Sequence, residues 1–204
     1  MALKALSCPE CGHEITGETG FGVVLECPNN HYVGVSRDTH DVYSVPTQLV
    51  KPSGLDPKKG RLIFLPFWGF NVFINVRDRK IQGGGLWRLF SGQKLLSGDC
   101  AMYVCAAQLP DDDVDELSKH YSLNNPPGSS NLEDSYRDDF EKLPVFIDEN
   151  TAFQHAEFIF LKNEFDVSGT LQWIDYTFEF KEFGLVYLPF YMDTKRKDTY
   201  HQII

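Results

Sequence analysis

Basic residues are scarce in this chain: 19 Lys and Arg stand against 29 Asp and Glu, for a formal charge of −10. Binding to a phosphate backbone draws most of its affinity from clustered cations that release counterions. The balance therefore disfavours a general nucleic-acid binder or a protein held to an anionic membrane. Long apolar runs are also missing. The longest, Leu62 to Val76, is interrupted by Pro66, Asn71 and Asn75, too short and too polar to cross a bilayer as a helix. The opening MALKALSCPECG is not expected to act as a secretory leader, because a cysteine pair interrupts its short apolar stretch. No GxSxG, HExxH or Walker pattern occurs, and Gly83-Gly84-Gly85 is not followed by the Lys-Ser/Thr of a phosphate loop. Cysteines number five. An odd count with metal-like spacing fits a reducing, cytoplasmic compartment better than a disulfide framework.

Aromatic residues are plentiful, at 14% with 16 Phe, so the chain is expected to fold around a sizeable core. Its most specific motif is at the start. Cys8-Pro9-Glu10-Cys11 is followed, fifteen residues later, by Cys27-Pro28-Asn29-Asn30-His31. A CxxC turn sets two thiolates on one side of a tight loop, and a second such turn completes a tetrahedron around a borderline-soft cation, usually Zn2+. His13 competes for the fourth position, but His31 completes the second turn and His13 does not. The expected ligands are therefore Cys8, Cys11, Cys27 and His31, around one structural Zn2+. A set of four protein donors is closed, which makes the ion a folding element.

These knuckles, with Val23-Val24-Leu25 as a strand between them, resemble the zinc-ribbon families over about residues 6–37. The departure is the last donor, a His at CxxxH spacing where ribbons usually end in a second CxxC. Zinc ribbons serve nucleic-acid binding, polymerase subunits and protein docking alike, so the resemblance does not choose a function. Glu10, Glu14, Glu18 and Glu26 give this segment a negative lean, which favours a protein partner.

Two domains are expected: a ribbon at 1–40 and an α+β domain at 41–204, mainly antiparallel β with a few short helices. Residues 51–60 have the turn chemistry of a connector. Leu62–Val76 and Cys100–Gln108 are expected strands. Three helices are expected. The first starts at Asp111-Asp112-Asp113 and buries Val114, Leu117 and Tyr121. The second carries Leu132, Tyr136, Phe140 and Leu143. The third opens on a Thr151/Gln154 capping pair ahead of Phe153, Ala156 and Phe160. Alternation over Ile174–Lys181 predicts a strand with one face in the core. Phe183-Gly184 is expected to turn it, with residues 185–191 as its antiparallel neighbour and Tyr200–Ile204 as a last strand.

Residues 62–68, LIFLPFW, and 185–191, LVYLPFY, match in class at every position and in identity at four. Both are apolar at odd and even positions, so each strand is expected to be covered on both faces. Each proline removes a ladder donor, which predicts an edge strand or a bulge. Either two related halves pack these strands together, an internal duplication, or a partner chain covers them. On the partner reading, Phe64, Phe67, Trp68, Phe70, Tyr187, Phe190 and Tyr191 are the candidate contact residues.

Catalysis finds little support. His155-Ala156-Glu157 has the HxE of zinc deaminases, but it follows the cysteine pair and the proline stands inside CPEC, unlike that motif. Cys100 and Cys105 sit among apolar residues and are expected in the core. The leading expectation is a non-enzymatic adaptor or assembly subunit that docks to other protein subunits. The alternatives are a nucleic-acid-associated accessory factor, using Arg77, Arg79, Lys80 and Arg88 around Trp87, and an enzyme whose site forms only in three dimensions.

Overall fold

The computed structural model describes residues 6–15, 23–36, 41–50, 52, 60–82, 97–124, 126, 141–168, 170–192 and 200–202. The fold is α+β. Three short strands, β1 (Val24–Glu26), β2 (Tyr32–Val35) and β3 (Val42–Ser44), form an antiparallel sheet in that order. A second, six-stranded sheet is built on two long strands, β5 (Arg61–Gln82) and β8 (Thr170–Met192). β4 (Thr47–Leu49) lies beside β8, and β6 (Ser97–Cys105) lies beside β5, giving the order β4-β8-β5-β6. The two-residue β7 (Glu141–Lys142) also pairs with β5, and β9 (Tyr200–Gln202) with β8. Among the described residues the helices are α1 (Asp111–Leu123) and α2 (Glu149–Ser168).

β5 and β8 pair antiparallel along their whole length, and the two heptapeptides are partners. Leu62 faces Tyr191, Trp68 faces Leu185, and Leu65 faces Leu188 at the centre. A twofold rotation about the Leu65/Leu188 pair carries each heptapeptide onto the other. The flanking strands obey the same rotation. β7 meets β5 in parallel at Ile63↔Glu141 and Phe64↔Lys142; β4 meets β8 in parallel at Val186↔Gln48 and Tyr187↔Leu49. The Leu143 N–H donates to the Phe64 carbonyl at 2.9 Å, and the Val50 N–H donates to the Tyr187 carbonyl at 3.0 Å. β6 starts antiparallel pairing at Phe67↔Cys105, and β9 at the equivalent Phe190↔Gln202.

This symmetry corrects the expected place of the prolines. Both lie in the two central strands, not at an edge, and neither coincides with a register shift. Pro66 instead sits where one neighbour of β5 gives way to another. β7 pairs at 63–64, β6 begins at 67, and the Pro66 carbonyl accepts the Ala106 N–H at 2.8 Å. Pro189 sits in the matching gap between β4 and β9. A missing N–H costs no ladder bond at such a gap.

A second correction concerns Phe183-Gly184. The strand runs straight through it, so residues 185–191 continue the 174–181 strand and pair with 62–68. Gly184 suits a close approach: a Cβ there would lie 3.1 Å from the Pro46 carbonyl oxygen, which accepts the Leu185 N–H, tighter than ordinary contact.

Both faces of the central strands are covered. Phe64, Trp68, Phe70, Val72, Ile74, Leu185 and Tyr187 pack with Ala152, Ala156, Ile159 and Phe160 of α2, and with Tyr32 and Val45. Ile63, Leu65, Phe67, Leu188 and Phe190 form the other cluster with Tyr121 of α1. Val114 and Leu117 pack against that cluster, as their spacing predicts. α1 also seals the outer edge of β6. Ser118, fully buried, accepts the Cys105 N–H at 2.9 Å and donates to the Val114 carbonyl. One turn on, Ser122 accepts the Tyr103 N–H and donates to its carbonyl, both at 3.0 Å. Two hydroxyls thus replace a missing neighbour strand.

α2 starts before the expected capping pair. Asp148 accepts the Thr151 N–H at 2.8 Å and serves as the N-terminal cap. The helix expected over Leu132–Leu143 lies largely outside the described residues, and its described end, Glu141–Lys142, is strand β7. The turn at Gly83–Gly85 also lies outside them.

Candidate metal centre

Two tight turns build the site. In the first, Gly12 N–H donates to the Cys8 carbonyl and Cys8 N–H to the His13 carbonyl, both at 2.8 Å. Gly12 takes a left-handed φ of 72°, a conformation that glycine adopts without Cβ strain. In the second, Asn30 N–H donates to the Cys27 carbonyl and Cys27 N–H to the His31 carbonyl, again at 2.8 Å. Asn30 is left-handed there, with φ 61°, as Asn tolerates better than most residues. The second turn closes the β1–β2 hairpin, whose last rung pairs Glu26 with Tyr32.

Cys8, Cys11, Cys27 and His31 come together, with donor atoms all within 4.8 Å of one another. Cys11 Sγ lies 3.8 Å from Cys27 Sγ, and Cys8 Sγ lies 3.5 Å from His31 Nδ1. The group is placed to hold a metal ion. The Asn29 N–H points at Cys27 Sγ from 3.4 Å, which favours a thiolate. The Cys11 thiol is held down to about 6, chiefly by a backbone hydrogen bond from His13. Burial instead pushes the Cys27 thiol up. His31 turns Nδ1 inward and Nε2 toward Glu10 Oε2, 3.4 Å away. A carboxylate on the far nitrogen fixes the orientation of the ring. Glu10 was legible only as a residue inside CPEC, since nothing in spacing assigns it to His31. His13 lies outside the group, with its Nδ1 3.3 Å from Asn29 Nδ2.

The seven aromatic contact candidates are core residues. Phe64, Phe67, Trp68, Phe70, Tyr187, Phe190 and Tyr191 are between 0% and 4% exposed, so they are not available to a partner on the folded chain. Pairing of the two heptapeptides buries them against each other and under the helices. Of the basic group, Arg77 bonds Asp175 and Thr177, and Arg79 pairs with Glu164 in a nearly buried bridge. Those cations are neutralised within the fold; Trp87 and Arg88 lie outside the described residues. His155 pairs with Asp115, and Glu157 accepts the Tyr176 hydroxyl, so neither joins the metal group. Cys105 is buried and Cys100 partly so, and neither belongs to the metal group.

A groove of about 260 Å³ crosses β6, β5, β8 and β4 over the facing pair Gly69 and Gly184. Gln48, Asn71, Tyr103 and Glu182 are among its lining residues, and Asn71 donates to Glu182 at 3.3 Å. Among the described residues, no helix is long and apolar enough to cross a membrane. Comparison of the chain with protein-family models, curated proteins and solved structures returned no match.

Proposed function

We propose that Cys8, Cys11, Cys27 and His31 hold one structural Zn2+, and that the chain is a non-enzymatic adaptor or assembly subunit that docks to other proteins. The donor geometry carries the metal half of this reading. Zn–S bonds of about 2.3 Å and Zn–N bonds of about 2.0–2.1 Å set tetrahedral edges of about 3.8 Å between sulfurs and about 3.5 Å between sulfur and nitrogen. The 3.8 Å and 3.5 Å separations here match both edges. Four protein donors leave no position for a reacting water, so the ion shapes the knuckles and does no chemistry. All five cysteines are free, which suits a reducing compartment such as the cytoplasm.

The docking half is supported by the acidic balance and by the internal pairing of Arg77 and Arg79, which leaves those two cations little to offer a phosphate backbone. Metal analysis of the purified protein tests the first half: one zinc per chain is expected, and Cys8→Ser or Cys27→Ser loses it and becomes protease-sensitive. Zinc retained in both variants overturns the assignment. Affinity capture at low and then high salt tests the second half. Stoichiometric proteins that survive salt support docking; nucleic acid released by salt shifts the reading to an accessory factor.

A further inference from the structure

One polar side chain of the large sheet reaches the base of the metal hairpin, beside the packing of Tyr32 on Tyr187. Lys142, in β7, donates to Glu26 Oε1 at 2.8 Å, to Glu26 Oε2 at 2.6 Å and to the Tyr32 hydroxyl oxygen at 2.8 Å. An ammonium group has three donors, and all three are spent here. The ammonium also lies 5.3 Å from the Tyr32 ring centre. Glu26 and Tyr32 are cross-strand partners, the rung that directly precedes Cys27 and follows His31. Lys142 therefore clamps both ends of the loop that carries two of the four ligands.

The segment that bears Lys142 is itself stapled at Leu143, Val145, Phe146 and Ile147. The Leu143 N–H donates to Phe64 in the first heptapeptide. The Val145 carbonyl accepts the Val23 N–H at the entry to β1, and the Phe146 N–H donates to Ala106 after β6, both at 2.8 Å. The Ile147 carbonyl accepts the Trp68 indole N–H at 2.8 Å. Residues 141–147 thus form a strap with the metal hairpin on one side and the central strand on the other.

We infer that Lys142 couples metal occupancy to the seating of this strap. An ion that fixes Cys27 and His31 holds the Glu26/Tyr32 rung in the one arrangement that satisfies Lys142. By linkage, a seated strap in turn favours the metal-bound loop by the same factor. Lys142 is a positioning residue for the metal site, though it lies more than a hundred residues away in sequence. The inference rests on the Cys3His group holding zinc.

Lys142→Met keeps the stem against Tyr32 and removes only the charge and donors. Competition with a chromophoric chelator is expected to show zinc bound three- to tenfold more weakly, and Lys142→Arg is expected to recover most of the loss. Tyr32→Phe, a milder change that removes one acceptor, gives a smaller loss in the same direction and serves if Lys142→Met does not fold. Hydrogen exchange supplies the second readout. Stripping zinc from the wild type should speed exchange at the Leu143 and Phe146 amides. In zinc-loaded Lys142→Met those amides should already be fast, with little further change on stripping. Wild-type zinc uptake with variant affinities within twofold of it, and a strap insensitive to stripping, overturns the coupling alone. A wild type that takes up no zinc overturns the metal reading and the coupling with it.

Discussion

Cysteine meets two environments in this chain, and they set opposite chemistry. The Cys11 thiol is held down to about 6, chiefly by a backbone hydrogen bond from His13, whereas Cys105 is 1% exposed and burial pushes its thiol up to about 12. The sign of the pH effect follows. Below its ordinary value near 9.0, Cys105 is protonated in both folded and unfolded chains, and its contribution to stability is fully present. Between about 9 and about 12 the unfolded thiol ionises and the folded one does not, so stability is lost as pH rises. Urea midpoints measured at pH 8, 10 and 11 should fall in the wild type and fall less in Cys105→Ala; equal slopes would remove the assignment. At this scale the clustering of Cys8, Cys11, Cys27 and His31 was legible because both knuckles are local: two residues separate Cys8 from Cys11, and three separate Cys27 from His31. Lys142 was not legible, since its place beside Glu26 depends on two sheets meeting in space.

Elements were legible where a local period or cap speaks for them, and misread where a residue serves a distant neighbour. Val114, Leu117 and Tyr121 have helical spacing and do line one face of α1. Phe183-Gly184 resembles a turn, but the glycine answers to the Pro46 backbone, in the link between β3 and β4 more than a hundred residues earlier. The serines of α1 were silent in sequence because Ser has no strong preference that announces an edge seal. Their role predicts a cost. Ser118→Ala leaves the buried Cys105 N–H without its acceptor, and a stranded buried donor costs about 1–3 kcal/mol. Ser118→Thr, which keeps the hydroxyl but adds a methyl, distinguishes lost bonding from lost space. Urea unfolding monitored by circular dichroism gives both values; a Ser118→Ala variant as stable as the wild type would show that the hydroxyl is dispensable.

At the scale of the molecule, the repeated heptapeptide proved the most informative stretch of sequence after the two cysteine knuckles. Its two copies find each other across β5 and β8, which a match of composition alone does not determine; register came from the coverage of both faces and from the strands that flank each proline gap. Leu65 and Leu188 occupy equivalent positions at the axis and are 0% and 1% exposed. Leu65→Ala and Leu188→Ala should therefore destabilise the fold by similar amounts, about 2–5 kcal/mol each. Because the two side chains share one contact, the double variant should cost less than the sum. Strongly unequal single costs would break the equivalence.

The crossed pairing also sets a timetable for synthesis. β5 gains its long partner only when β8 has been made, and β7, which covers the start of β5, also comes late in the chain. On a ribosome adding about 5–20 residues per second, the interval between the two copies of the heptapeptide lasts roughly 6–25 s. Throughout it Ile63, Phe64, Phe67 and Trp68 have no native strand on the β8 side. The nascent chain must carry its most apolar segment uncovered for that time, so the first half of this protein is a natural client for whatever shields emerging chains, and the two cysteine knuckles, complete by His31, emerge long before the sheet that they rest on is finished.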